Sequence, residues 1–213
     1  MSKQLDYFET IKLELQKEEI ERFGVAPLIR PLTMDFYLNW LKSNYHGSMK
    51  YLERHADRKE EPQKLLPRAN SAIVVAFEYI PHPFPQRKIN LNIARYAQGK
   101  DYHFWLQEKL DRISKSLGQI FPNDVFCSYS DSYPVLEREL AYRAALGWVG
   151  KNSCIIDQKK GSFFLIGEIY TSLKLESSVD PRADRCGTCT RCIDNCPTQA
   201  IISPRLLDAK RCI

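Results

Sequence analysis

Apolar residues recur every three to four positions at Leu5, Phe8, Ile11 and Leu15, which predicts an opening helix with one buried face that runs into Gly24. A second helix is predicted over 34–42. The run Ala72-Ile-Val-Val-Ala-Phe77 is continuously apolar rather than alternating, so it reads as a strand buried on both faces. Pro81-His-Pro-Phe-Pro85 follows it, cannot be helical, and places His82 in a loop. Helical spacing returns at Leu106, Leu110, Ile113 and Leu117, the core face of a helix capped by Asp101 and closed by Gly118. A strand is predicted over 125–129. Asp131-Ser-Tyr-Pro134 then leads, with proline in the first turn, into a helix over 135–146 that Gly147 stops. Strands at 154–157 and 162–171 flank Gln158-Lys-Lys-Gly161, a hairpin signal. The fold class is therefore α+β. Small, charged and turn-forming residues at 177–185 read as a linker, dividing the chain into a mixed α/β domain at 1–176 and a small module at 177–213.

Length agrees with that division, because 213 residues suffice for one core of about 150 residues and an appendage. Residues 1–23 alternate charged and apolar side chains and lack the continuous apolar stretch of a signal peptide. The longest apolar run, 73–77, is too short to span a bilayer. A cytoplasmic protein without a membrane segment is expected. Lys and Arg number 31 against 26 Asp and Glu, and residues 182–211 carry six basic and three acidic side chains. So small a surplus permits a nucleic-acid partner without arguing for one.

Chemistry is concentrated near the end of the sequence. Cys186-Gly-Thr-Cys189-Thr-Arg-Cys192-Ile-Asp-Asn-Cys196-Pro197 matches the Cys-x2-Cys-x2-Cys-x3-Cys-Pro run of bacterial ferredoxins, and Cys212 follows. Three thiolates two residues apart wrap one cluster, and the fourth, before proline, serves the other cluster in two-cluster ferredoxins. A zinc ribbon requires two separated knuckles, and disulfides require an oxidising compartment, so two [4Fe–4S] clusters are expected. Two such clusters held by cysteine alone need about eight thiolates. The chain has seven, and Cys127 and Cys154 lie far upstream in strand-like segments. With Ile213 directly after Cys212, the expectation is that the sequence stops inside its ferredoxin-like module; a one-cluster form or a partner chain that completes the site are the alternatives.

Two further segments carry polar groups in unusual density. Gly147-Trp-Val-Gly150-Lys151-Asn152-Ser153 follows a helix and has the wrong spacing for a phosphate loop. It is either a tight turn whose amides and cation hold a polar cofactor edge, or a helix C-cap with a buried tryptophan. Asp131, between a strand and a helix, is either a cap or a catalytic acid, and spacing alone favours the cap. Arg95, Tyr96, Asp101, Tyr102 and His103 crowd one segment, although a lone histidine such as His103 is more often a surface or core residue than a catalytic one.

Taken in order, Tyr51-Leu-Glu-Arg54, Ala94-Arg-Tyr-Ala-x-Gly-x-Asp-Tyr-His103, Asp131-x-x-Pro-Val-Leu-Glu-Arg138, Leu146-Gly-Trp-Val-Gly-Lys-Asn152, Gly161-Ser-Phe-Phe-x-x-Gly-Glu168 and the cysteine run resemble the epoxyqueuosine reductase family over nearly the whole chain. The resemblance implies a cobalamin-dependent iron–sulfur enzyme that reduces the epoxide of epoxyqueuosine to queuosine at the tRNA wobble position. It also implies a monomer that takes electrons from an external low-potential donor and engages a tRNA anticodon loop. Members continue into a second cysteine run and a HEAT-like helical tail, both absent from these 213 residues. By the same resemblance Asp131 is the proton donor, while Arg54 and the turn Lys151-Asn152-Ser153 contact the corrinoid. Tyr102 and His103 line the same pocket. Cys186, Cys189 and Cys192 serve one cluster, and Cys196 and Cys212 the other. Two other readings compete: a corrinoid iron–sulfur reductive dehalogenase, and a ferredoxin-type electron carrier with no substrate of its own.

Overall fold

A computed structural model describes residues 2–79, 94–177 and 179–213, so Pro81–Pro85 and His82 lie outside the described residues. The main body opens with helix α1 (Ser2–Lys17), strand β1 (Arg22–Pro27), α2 (Met34–Lys42), α3 (Tyr51–Arg54), α4 (Ala56–Glu60) and β2 (Ser71–Glu78). It continues with α5 (Tyr102–Ile120), β3 (Phe126–Tyr129), α6 (Glu137–Arg143), β4 (Trp148–Val149), β5 (Ile155–Ile156) and β6 (Phe164–Thr171). A short α7 (Arg191–Asp194) and the strands β7 (Ile201–Ser203) and β8 (Leu206–Leu207) complete the cysteine segment. This is a mixed α/β chain, as its pattern predicts.

The central sheet runs β1-β2-β6-β3, every neighbouring pair antiparallel. Alternation divides its side chains cleanly. Ile73 and Val75 on β2 and Ile169 on β6 face α1 and α5, where they meet Ile11, Leu15, Leu106, Leu110, Ile113 and Leu117. Ala72, Val74 and Ala76, with Tyr129 and Tyr170, face the opposite way toward Leu140 and Ala141 of α6 and Ala144 just after it. Helices on both faces explain why β2 reads as an unbroken apolar run, since neither side meets water.

Four local expectations are corrected. Gly24 ends no helix: it lies within β1, where a Cβ would fall 2.0 Å from the carbonyl oxygen of Ala144, so its missing side chain lets α6 lie against the sheet edge. Helix α5 passes through Gly118 to Ile120 because Phe121 continues the backbone bonding to Leu117. Helix α6 is shorter than expected at both ends. Pro134 sits in the preceding turn, and Ala145, at φ +58°, adopts the left-handed conformation that closes the helix through a bond from Leu146 N–H to Ala141 C=O. Gly147 instead lets β4 approach β5, since a Cβ there would lie 2.4 Å from the Ile156 carbonyl oxygen. The expected hairpin is also re-paired: β5 pairs with β4, β6 joins β2 and β3, and only a bridge from Asp157 to Gly161 spans the turn.

Candidate active site

The turn from β3 into α6 carries Asp131 at φ +36°, a conformation that L side chains other than Asn and Asp rarely accept. Two helices hold it there. Its N–H donates to Glu137 Oε1 on the first turn of α6. Its Oδ2 lies 2.7 Å from His103 Nε2 on α5. Asp101 caps α5 by accepting from His103 N–H at 3.0 Å and also lies 2.6 Å from His103 Nδ1. One imidazole therefore bridges two carboxylates, Asp101 chiefly and Asp131 after it raising the pKa of His103. With both carboxylates ionised, both ring nitrogens must carry hydrogen, so the bridge favours the imidazolium. Asp101 is thus a helix cap and a site residue at once. Burial and then the neighbouring Asp131 raise the phenol of Tyr102, whose ring stacks on His103 with centroids 4.1 Å apart.

Behind this turn opens a cavity of about 700 Å3. Phe36 and Trp40 of α2, Leu52, Val135, Leu136 and Trp148 give it an apolar wall, while Lys59, Glu137, Arg138, Ser153 and Arg205 add polar groups. Apolar enclosure with a few convergent polar groups is the usual form of a small-molecule site. Trp148 keeps its indole N–H without a protein partner among the described residues. Glu137 was not anticipated from sequence; it belongs to the Asp131 turn and to the cavity wall together. Burial first, and the charge of Asp131 second, push its carboxyl up to about 7.

The turn after β4 faces two ways. Ser153, at φ +66°, lines the cavity and accepts from Arg138 through its carbonyl at 2.8 Å. Asn152 Oδ1 accepts from Cys154 N–H at 3.1 Å, closing the turn on itself. Lys151 points away from the cavity: its ammonium donates to the carbonyls of Gly187 at 2.7 Å and Cys189 at 2.9 Å. Arg205 adds bonds from its N–H to Lys151 O and from its Nε to Val149 O. The cysteine loop is therefore tied to the wall of the cavity. Arg54 is exposed on α3, two residues beyond the cavity-lining Leu52.

All seven cysteines are free thiols. Cys196 Sγ accepts from Ala200 N–H at 3.2 Å, and backbone N–H groups of Ile201 and then Ala200 lower its pKa, the environment a ligating thiolate requires. Gly187, at φ +49°, bends the loop between Cys186 and Cys189. Among the described residues no three His, Cys, Asp or Glu side chains converge as they would on a single metal ion. Cysteines at this spacing are the donor type that iron–sulfur clusters take.

Together these features define a helix-flanked antiparallel α+β domain with an acid beside an apolar cavity and a thiol-rich loop fastened to the cavity wall. Residues 59–132 match the family model described as "Epoxyqueuosine reductase QueG, DUF1730". The chain is 42% identical over 176 residues to the epoxyqueuosine reductase of Cyclobacterium marinum, covering 82% of this chain and 57% of that protein. It is 40% identical over 181 residues to the enzyme of Xanthomonas campestris, covering 82% and 51%. The chain belongs to the epoxyqueuosine reductase family and spans about half the length of the curated relatives it matches. Among solved structures, it superposes with a TM-score of 0.83 and 28% identity on the Bacillus subtilis enzyme, captured with its catalytic aspartate loop swung out of the active site; the match covers 98% of this chain and 56% of that one. An epoxyqueuosine reductase with an epoxyqueuosine-modified tRNA stem loop matches with a TM-score of 0.78 and 28% identity, covering 99% and 55%. A reductive dehalogenase shares the fold alone, at a TM-score of 0.50 and 14% identity over 87% of this chain and 22% of that one.

Proposed function

We propose that this chain carries the catalytic centre of an epoxyqueuosine reductase, converting epoxyqueuosine to queuosine in the anticodon loop of tRNA. The observation that carries the reading is Asp131, fixed in a left-handed turn beside the cavity and gripped by His103 and Glu137. Relatives that share about two fifths of their aligned residues bear that activity in name, and one solved relative holds the modified stem loop.

Residues 1–176 form the cobalamin-binding catalytic domain and 177–213 a partial ferredoxin-type module. Cys186, Cys189 and Cys192 serve one [4Fe–4S] cluster, and Cys196 and Cys212 the other. Arg54, Asn152 and Ser153 meet the corrinoid, with Tyr102 and His103 on the acid side, while Lys151 fixes the cysteine loop. When bound, the corrinoid and clusters supply the two low-potential electrons, taken from an external donor. Deoxygenation of an epoxide breaks both C–O bonds, forms a C=C bond, and consumes two electrons and two protons to release water. The imidazolium of His103, 2.7 Å from Asp131 and open to solvent, supplies a proton that Asp131 passes to the oxygen as the first C–O bond breaks. Phe36, Trp40 and Trp148 give the cavity apolar surface against which the ligand can pack. A flexible anticodon loop presents its base without breaking a duplex. The free thiols suit a reducing, cytoplasmic setting, and we assign the protein as a monomer.

Nucleoside mass spectrometry of bulk tRNA from a strain lacking the gene tests this. Epoxyqueuosine should accumulate and disappear when the gene is restored. Unchanged queuosine, in a strain with no second copy of the activity, overturns the assignment.

A further inference from the structure

The stoichiometry above leaves one proton unassigned. Asp131 holds a single carboxyl, and its connection to His103 lies on the exposed side of the turn. On the interior side the structure places two more carboxyls that the reading so far does not use. Glu137 reaches the cavity wall while accepting the Asp131 N–H. Glu168 sits mid-strand on β6, opposite Tyr129 and Val74, with no exposed surface and with neither carboxyl oxygen hydrogen-bonded among the described residues. An ionised carboxylate in such surroundings would be prohibitively unstable, so Glu168 is held as the neutral acid. A strand interior closed by Tyr129 and Tyr170 gains nothing in packing from a carboxyl.

We propose that Glu137 is a second acid of the site, delivering the other proton of the epoxide reduction into the cavity, and that Glu168 stays beside it as a buried neutral carboxyl. The proposal rests on the epoxide-reductase reading. Its balance is simple: two electrons arrive from the bound redox groups, one proton comes from Asp131 and one from Glu137, and the oxygen leaves as water. Titratable groups surround the pair, and the Tyr129 phenol lies across the strand from Glu168. Asp131 and Glu168 face Glu137 as like-charge carboxyls, Lys59 of α4 and Arg138 of α6 oppose them, and the Tyr102 and Tyr170 phenols complete the surroundings. Lys59 is not free to neutralise the pair fully, because its ammonium donates to Val135 O at 3.0 Å. Burial raises the Glu168 carboxyl first and the charge of Glu137 second.

The test uses the holoenzyme and an epoxyqueuosine-modified stem loop. Glu137→Gln keeps an oxygen acceptor for the Asp131 N–H, so the turn survives while the proton is removed. Turnover should fall about 100-fold with stem-loop KM and cofactor content unchanged, the scale of a lost general acid. Wild-type turnover should decline as pH rises through about 7, and this limb should be missing from the variant. Wild-type rate and pH profile in Glu137→Gln overturn the second acid while leaving the reductase reading intact; a wild-type enzyme that reduces no epoxide overturns both. For the neutral state of Glu168, infrared spectra of the protein at pH 8 should show the carbonyl band of a buried carboxylic acid that Glu168→Gln removes. A band that survives the substitution, or is absent from wild type, overturns the role of Glu168.

Discussion

The two faces of the central sheet are built on opposite principles. Toward α1 and α5 the sheet presents Ile73, Val75 and Ile169, and the helices answer with leucines and isoleucines that are almost wholly buried. Toward α6 it presents Tyr129, Glu168 and Tyr170, and α6 answers with Glu137 and Glu139 as well as Leu140. The first face is satisfied by hydrophobic burial alone. On the second, Glu139 finds Arg143 at 2.7 Å, Lys59 finds a carbonyl, and Glu168 finds no hydrogen-bond partner among the described residues. Chemistry belongs to the side where polar groups have been left inside, and rigidity comes from the side where they have not.

Substitutions can break this contrast, beginning with the largest effect. Asp131→Asn, chosen because asparagine tolerates positive φ, should lose 100-fold or more in turnover, about 3 kcal/mol or more in barrier, with cofactor content and melting temperature preserved. Normal single-turnover rates in that variant would remove its acid role. Leu110→Ala, on the apolar face, should destabilise the fold by about 2–5 kcal/mol in denaturant titrations through the cavity it leaves, with kcat of the folded fraction unchanged. Glu168→Leu, on the polar face, should do the reverse and stabilise by about 1–3 kcal/mol by deleting an unpaired buried carboxyl; a net loss of stability would show that Glu168 has a partner. The pH dependence sharpens the same point. Glu137 lies at about 7 in the folded chain against an ordinary 4.5, so the folded state binds more protons between those values and stability falls as pH rises through that window. Glu137→Gln should flatten that decline in melting temperatures recorded from pH 4.5 to 7. Smallest is Lys151→Ala, worth at most about 1 kcal/mol at this exposed position, detected as faster alkylation of Cys189 with Cys127 unaffected.

The same contrast explains what could be read from the sequence. Helix α5 was legible because its period and the Asp101 cap are local, and α2 and β2 for like reasons. The partner of β6 was not, since a turn signal at 158–161 is local whereas the pairing with β2 and β3 joins strands far apart in the chain. Asp131 and His103 were noticed singly; their bridge was hidden because 28 residues separate them. Glu168 did leave a signal: a carboxylate inside the apolar stretch Phe164-Leu-Ile-Gly-Glu-Ile-Tyr170 breaks the pattern that makes the strand recognisable. Glu137 left none, because a glutamate in the first turn of a helix is ordinary.

The turn from Gly150 to Ser153 has a consequence for how such chains can vary. Surface loops normally absorb insertions and deletions with little harm. This one has its carbonyl at Ser153 held by Arg138 and its ammonium at Lys151 held by Gly187 and Cys189. It behaves as a mortised joint between two parts. Adding one residue would shift one side by up to about 3 Å relative to the other. Its length should therefore be as invariant over evolutionary time as that of a buried strand, and the tolerance usual for loops should be found at the 158–161 turn, whose ends are joined by a single bridge.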